Sequence, residues 1–451
     1  MKRWWLASVL PISILAVGLV PAFRRQLHAE THGPATGDTP SLSKATSVTR
    51  PSEGPAAALA GLDLTKVAYD DTSATAPVAN KRTAHLYIDA NLQKTAKALM
   101  AFHHLPEAAV VLMDVATGHV ITYASHVEHG PARDLCAEAT APAASVFKVV
   151  TGAALVELAG ARADQRECYS GGEQRILESD LEPNPARDKW CVTLGGAMGR
   201  SINTVFARTA LRSLQPAKLD EFARGAGFGQ PLPFDVAVQP SSINVPGDNL
   251  GFARTAAGFW NTTLSPIHAA TLSAAVARGG EMIRPAIVSE IKDGNQSLYT
   301  AKDAQVLRRV MKQETADAVT TMMDHTVSEG TSYRAFHDIK RKPFLPGIPV
   351  AGKTGTLTDA QTQRYYTWFT GFAPSHPQPN LHQVAVSVLV VNEATWRVKA
   401  NTIAREMLRA YFAEANAPMV TAPQLRATTR DATKEAKAHG GGTATVKAAR
   451  P

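Results

Sequence analysis

Cysteine is scarce in this chain: Cys136, Cys168 and Cys191 are the three among 451 residues. None is spaced Cys-x-x-Cys, so no thiolate cluster offers itself as a metal site. Cys168 and Cys191 bracket one Gly- and Pro-containing loop and are the candidate disulfide, with Cys136 left over. Three cysteines allow three single bridges, and spacing does not choose among them. Charge of one sign is also missing from the middle of the chain. The formal charge is +8, but residues 1–82 carry +3 and residues 416–451 carry +4, which leaves +1 for 83–415. A nucleic-acid-binding face on the folded part is excluded on that ground. Internal repeats are absent.

What is present is an ordinary globular composition, 45% apolar and 19% charged, with room for a large core. Trp4 to Phe23 runs without a charge and is long enough to cross a bilayer. Lys2 and Arg3 precede it and Arg24 and Arg25 follow, so the basic flanks hardly choose an orientation. A cleaved signal peptide is the rival reading. No small-x-small site follows the run, and Arg24-Arg25 intervene before Ala29, which favours an uncleaved anchor. On either reading the bulk of the chain is exported. Residues 1–23 are read as a cytoplasmic start and transmembrane anchor. Residues 24–82 are a disordered Pro/Ala/Thr-rich linker, 83–415 the folded domain, and 416–451 a disordered basic tail.

Within 83–415 the patterns become regular. HLYID (85–89) alternates like a short strand, and NLQKTAKALMAF (91–102) has helical spacing. AAVVLMDVATGHVITYAS (108–125) reads as a hairpin turning at Gly118. Residues 145–159 and most of 201–228 read as helix. VAVSVLVVNE (384–393) is a β-rich run, and NTIAREMLRAYFAEA (401–415) is a closing amphipathic helix. Strands at both ends with helices between predict an α+β domain whose sheet is assembled from distant segments.

Three short motifs carry chemistry. In PAASVFKVVTG, Ser145 and Lys148 fall on one face of a helix. A serine needs an adjacent base to act as a nucleophile, and a desolvated lysine can be that base. The alternative is a lysine that snorkels to water. Ser41/Lys44 and Ser289/Lys292 repeat the spacing, but the first is in the linker and the second beside the turn Asp293-Gly294-Asn295. Ser-Ile-Asn occurs at 201–203, ahead of an amphipathic helix, and at 242–244, in a loop. The rigid setting favours Ser201 and Asn203 as a proton relay and an amide-gripping carboxamide. Ser201 also reads as a helix N-cap. Lys353-Thr354-Gly355, followed by Thr356, occurs once; alternation puts Lys353 and Gly355 on one side of a strand and Thr354 on the other.

Gly347 to Thr354 also fits GxxxxGK[ST], the phosphate-loop pattern of nucleotide hydrolases. The loop contains Pro349 and β-branched residues, and TGTLTD after it has poor helix propensity, so the required strand–loop–helix context is missing. His126, Glu128 and His129 are read as a polar turn rather than a metal site. Tyr365, Tyr366 and Trp368 are candidates for the groove wall or for the core.

Taken together and in order, Ser145/Lys148, Ser201/Asn203 and Lys353/Thr354/Gly355 resemble the motifs of penicillin-binding proteins and serine β-lactamases. They are separated by 56 and 152 residues. YIDANLQ (87–93), LSPIHAATLSAAVARGGEMIRP (264–285), EGTSYRAF (329–336) and WFTGFAP (368–374) also resemble segments of a penicillin-binding transpeptidase domain, so the likeness covers roughly 83–415. One departure is Pro142-Ala143-Ala144 where the family often has Pro-Gly before the serine. No glycosyltransferase domain or large pedestal is expected before residue 83.

The resemblance implies an antiparallel sheet with a mostly helical subdomain, behind a single N-terminal transmembrane helix. It also implies a mechanism. Ser145 attacks the carbonyl between two terminal D-alanines of a peptidoglycan stem peptide, and Lys148 takes its proton. Ser201 relays a proton toward the departing D-alanine with help from the Lys353 ammonium. Asn203 holds the substrate amide, and Lys353, Thr354 and Thr356 hold the terminal carboxylate. Backbone N–H groups of Ser145 and Thr356 form the oxyanion hole. No metal or cofactor is called for. The implied partners are stem peptides, β-lactams, the membrane through the N-terminal helix, and a separate glycosyltransferase. The expected site is the cytoplasmic membrane, with the catalytic domain outside it. A D,D-carboxypeptidase, a β-lactamase and a penicillin-binding sensor remain as alternatives. The Glu-x-x-Leu-Asn segment of one lactamase class is not found, and Asn203 stands where another has valine.

Overall fold

The computed structural model describes residues 55–414 apart from 71–72, 173–174, 303, 360 and 394–395. The apolar run 4–23, residues 24–54 and the tail 416–451 lie outside the described residues. Among those described, no helix is long and apolar enough to cross a membrane.

The central sheet has five antiparallel strands: β1 (Glu107–Asp114), β2 (Val120–Val127), β3 (Ala351–Asp359), β4 (Arg364–Ala373) and β5 (Val384–Asn392). Their spatial order is β3-β4-β5-β1-β2. The predicted hairpin is thus β1–β2, and its partners come from the other end of the chain. β5 lies between β4 and β1 and is buried along its whole length. That is why VAVSVLVVN reads as a continuous apolar run instead of alternating.

The helices that shape the molecule are α1 (Ala90–Phe102), α2 (Lys148–Ala159), α3 (Leu194–Arg200), α4 (Asn203–Ser213), α5 (Asn249–Ala256), α6 (Pro266–Ala277), α7 (Gln313–Ser328) and α8 (Ala400–Glu414). On one face of the sheet, Val384, Val386, Val388 and Val390 share a core with Leu92, Leu99 and Met100 of α1 and Ile403, Met407 and Leu408 of α8. Ala385, Leu389 and Val391 belong to the second core, with α6 and the helices that carry the motifs. α6 is buried nearly all round, as its Ala-rich, uncharged sequence requires of a helix with no polar face.

Two expectations change. Residues 55–82 are not linker. Ala68–Tyr69, Ala74–Val78 and Arg82–Leu86 join Val288–Asp293 and Gln296–Thr300 in a second five-stranded sheet. Its inward side chains there are Ala74, Ala76 and Val78, with Ala58 packed nearby. Alanine buries little area per residue, so a strand of this composition resembles a linker by hydrophobicity alone. The strand expected over 85–89 also ends at Leu86, and Asp89 caps α1 by accepting from the Asn91 and Leu92 amides.

Strands Arg166–Tyr169 and Trp190–Thr193 pair with Cys168 opposite Cys191, and the two sulfurs are bonded. Cys136 is a buried free thiol. A buried ion pair between Arg208 of α4 and Asp188, at 2.7 Å, ties this hairpin to the helix that follows Ser201.

After α6 the chain reverses at Gly279 and Gly280, both at positive φ. A Cβ on Gly280 would sit 2.0 Å from the Met311 carbonyl oxygen. Gly280→Ala is therefore expected to lower the unfolding free energy by about 2–3 kcal/mol, from left-handed strain plus the displaced backbone. Gly225→Ala, at an open helix end with nothing within 4 Å, should be neutral or stabilising by under ~1 kcal/mol. Urea denaturation of the two variants beside the parent checks both.

Candidate active site

The residues Ala144–Phe147 form a tight 3₁₀ turn that runs directly into α2, with Ala144 at φ 49°. Three neighbours hold this turn. The Trp368 indole N–H on β4 donates to the Pro142 carbonyl at 2.9 Å. Gly355 of β3 packs against it so closely that a Cβ would meet Ala143 O and Ala144 Cβ at 3.3 Å. Gly258, at φ 77°, would place a Cβ 2.4 Å from Ala144 O. The sheet and the segment after α5 thus fix where Ser145 stands.

α2 is buried from Lys148 through Leu155, so the Lys148 stem has no path to water and snorkelling is ruled out. Its Nζ lies 2.8 Å from Ser145 Oγ, 2.6 Å from Asn203 Oδ1 and 2.5 Å from the Ala257 carbonyl oxygen. Burial, and then the positive charge of Lys353, push its pKa well below the ordinary lysine value. A neutral amine has two N–H bonds and one lone pair. Two of the three neighbours are pure acceptors and take the N–H groups. The lone pair is left for the Ser145 hydroxyl, which is the arrangement a general base needs.

Ser201 is not the N-cap of α4. It caps the C-terminus of α3 in the left-handed region, at φ 59°, and the residue before α4 is Ile202. This sharp turn sends the two polar side chains of Ser-Ile-Asn to different lysines. Asn203 reaches Lys148, and Ser201 Oγ accepts from Lys353 Nζ at 2.9 Å.

Lys353 is fully buried and donates a second bond to the Thr354 carbonyl at 2.7 Å. Burial draws its pKa down to about 7. β3 is the edge strand of the sheet and alternates as expected: Lys353 and Gly355 are buried, Thr354 half-buried and Thr356 exposed. Thr354 Oγ1 is 2.6 Å from Thr331 Oγ1.

Ser145, Ser201, Asn203, Thr354, Gly355 and Thr356 line one cavity of about 450 Å³, with Lys148 and Lys353 behind them. Tyr169, Arg200, Thr331, Lys399 and Asn401 also line it. Residue-type reasoning missed these. Only Thr331 had a signal, in the EGTSYRAF segment.

The decoys go elsewhere. Ser242 bonds Thr263 Oγ1 at 2.8 Å in a loop away from the lysines. Ser289 donates to the His85 carbonyl, and Lys292 pairs with Glu290. Ser41 and Lys44 lie outside the described residues. The Gly347–Thr354 segment leads into strand β3, not into a helix, so it is not a phosphate loop. His126 and His104 both bond Glu128. Trp368 lines the cavity, whereas the Tyr365 ring lies tilted beside that of Trp396.

A family model of the penicillin binding protein transpeptidase domain matches residues 108–410. The peptidoglycan D,D-transpeptidase PbpA of Mycobacterium tuberculosis is 28% identical over 263 residues, 56% of this chain and 50% of that protein. PbpA of Mycolicibacterium smegmatis is 26% identical over 318 residues, 62% of this chain and 61% of that one. The chain thus spans between half and two thirds of these relatives' lengths. The D,D-transpeptidase domain of a peptidoglycan glycosyltransferase from Eggerthella lenta superposes with a TM-score of 0.61 at 21% identity, over 74% of this chain and 83% of that one. Penicillin-binding protein A from M. tuberculosis, as an imipenem acyl-enzyme, superposes with a TM-score of 0.60 at 23% identity, over 73% and 79% of the two chains. These two likenesses establish the fold, and the family match spans most of the described residues. The chain belongs to the penicillin binding protein transpeptidase family.

Proposed function

We propose that this protein is a peptidoglycan D,D-transpeptidase that works through a Ser145 acyl-enzyme and is acylated by penicillins. The carrying observation is the buried Lys148 amine, with its N–H groups occupied and its lone pair left to Ser145 Oγ. Ser145 attacks the carbonyl of the penultimate D-alanine as its proton passes to Lys148. The peptide N–C bond breaks, and the departing amine of D-alanine takes a proton through Ser201, resupplied by the Lys353 ammonium. Asn203 receives the substrate amide, and Thr354 and Thr356 with Lys353 receive the terminal carboxylate. An amine of a neighbouring stem then attacks the ester and releases Ser145. The reading extends to the whole chain: residues 4–23 anchor it in the cytoplasmic membrane, the domain works outside, and a separate glycosyltransferase supplies the strands.

Labelling of the full chain with a fluorescent penicillin tests the reading. The expected result is a label that persists for hours after free drug is removed and is absent from Ser145→Ala. Rapid loss of label would turn the reading to a β-lactamase. Lys148→Ala should slow acylation on the order of 10³-fold while circular dichroism stays unchanged. An acylating, folded Lys148→Ala variant would remove the lysine as base.

Ser201→Ala should slow acylation about 10²-fold, whereas Ser242→Ala should match the parent. The reverse result would show that the wrong Ser-Ile-Asn had been assigned.

Acylation should also depend on pH with a definite sign. Lys353 is wanted as the ammonium and has its pKa near about 7. The charged form, and with it the acylation efficiency of the free enzyme, is therefore present below about 7 and lost as pH rises through it. A pH profile of second-order acylation constants checks this. Lys353→Arg keeps its charge at every working pH, so the alkaline fall should disappear from its profile.

A further inference from the structure

The cavity is electrostatically lopsided. Among the described residues no aspartate or glutamate lines it, whereas Arg200 and Lys399 do. Both stand on the side of the threonines assigned to the ligand carboxylate. Thr354 is bonded to Thr331, whose backbone N–H donates at 2.9 Å to the Gly199 carbonyl, one residue before Arg200. Thr356 lies opposite Thr367 in the β3–β4 register, and Thr367 Oγ1 accepts from the Ala400 amide, one residue after Lys399. Asn401, which also lines this wall, donates to Ser332 Oγ and so closes the ring.

A third positive feature coincides with these two. α8 is 15 residues long and begins at Ala400, so its positive dipole end sits in the same wall. The compensation nearby is thin. Arg200 is 3.8 Å from Glu329, which is itself shared with His325 at 2.8 Å. Lys399 stands over the Trp396 ring at 5.6 Å. Neither cation is locked in a bidentate carboxylate pair, and both remain exposed. On the reading proposed above, the terminal carboxylate is served by Lys353 and two threonines, which leaves Arg200 and Lys399 without an assigned role.

Building on the acyl-transfer reading, we propose that Arg200, Lys399 and the α8 N-terminus form a second anion subsite beside the carboxylate cradle. The site then prefers ligands that carry another negative group next to their terminal carboxylate. Arg200 and Lys399 are specificity residues on this account: they act on capture of the ligand and take no proton.

Two cephalosporins isolate the effect. Ceftriaxone and cefotaxime share the same acyl side chain and the same ring carboxylate. They differ at the ring carbon next to that carboxylate, where ceftriaxone carries an anionic triazine and cefotaxime a neutral acetoxymethyl group. The readout is the ratio of their second-order acylation constants on the full chain. Arg200→Gln and Lys399→Gln should each lower the ceftriaxone/cefotaxime ratio about threefold, and the double variant about tenfold, as expected for partly exposed charge pairs. Raising salt should lower the ratio in the parent and not in the double variant. A ratio unchanged in Lys399→Gln and in the double variant, with both drugs still acylating Ser145, would overturn the subsite and leave the acyl-transfer reading standing. A uniform fall for both drugs would also overturn it, because a displaced Ser201 acts on both. If neither drug acylates the parent chain, the acyl-transfer reading fails and the subsite with it.

Discussion

A lysine amine kept too dry to hold its charge is the constraint on which the site depends. Lys148 sits in a helix buried from its first residue through Leu155 and is bonded to two carbonyl oxygens and one hydroxyl. Water would restore its proton and, on the proposed reading, end its use as a base. The packing that excludes water is therefore part of the chemistry, and most of it comes from segments far away in sequence. α5 ends so that its last carbonyls meet α2: Ala256 O accepts from Thr151 Oγ1 and Ala257 O from Lys148.

The second lysine is buried to the same degree, and the proposed reading uses it in the opposite state. Among the described residues Lys353 is reached by no carboxylate, and it donates to a hydroxyl and a carbonyl. Its charge is costly while buried, and on the proposed reading the ligand's carboxylate offsets that cost. The charge of Lys353 also disfavours that of Lys148, whose pKa it helps to depress. One protonated and one neutral lysine is the low-energy division of labour. The turn at Ser201 keeps them distinct by pairing a different side chain with each.

Much of this was legible in the sequence, but unevenly. Ser145, Lys148, Asn203 and Lys353 stand out because their order along the chain is more specific than any single motif, and the structure places Ser145 and Asn203 in one cavity wall with the two lysines bonded behind it. Decoys of identical spelling were separated by the rigidity of their settings. Other parts left no trace. The Ala257 carbonyl is backbone, and any residue there would supply it. The Trp368 bond to Pro142 joins positions with no shared local pattern. Arg200 and Lys399 look like ordinary surface charges until the cavity wall is assembled. The residues from 55 to 82 were misread because strands that bury alanine carry almost no hydrophobic signal.

The sheet order also bears on how the molecule comes to exist. β1 and β2 are followed by more than two hundred residues of helical subdomain before β3, β4 and β5 return to complete the sheet. Such pairings have high contact order, and their loop-closure entropy is lost before any contact repays it. Ser145 and Lys148 are translated long before the strands that clamp their turn. A chain emerging from the ribosome therefore has its proposed nucleophile in hand but no dry pocket to activate it. On the proposed reading, reactivity appears only with the last strands, and an incomplete or unfolded copy is inert toward acyl donors it meets on the way.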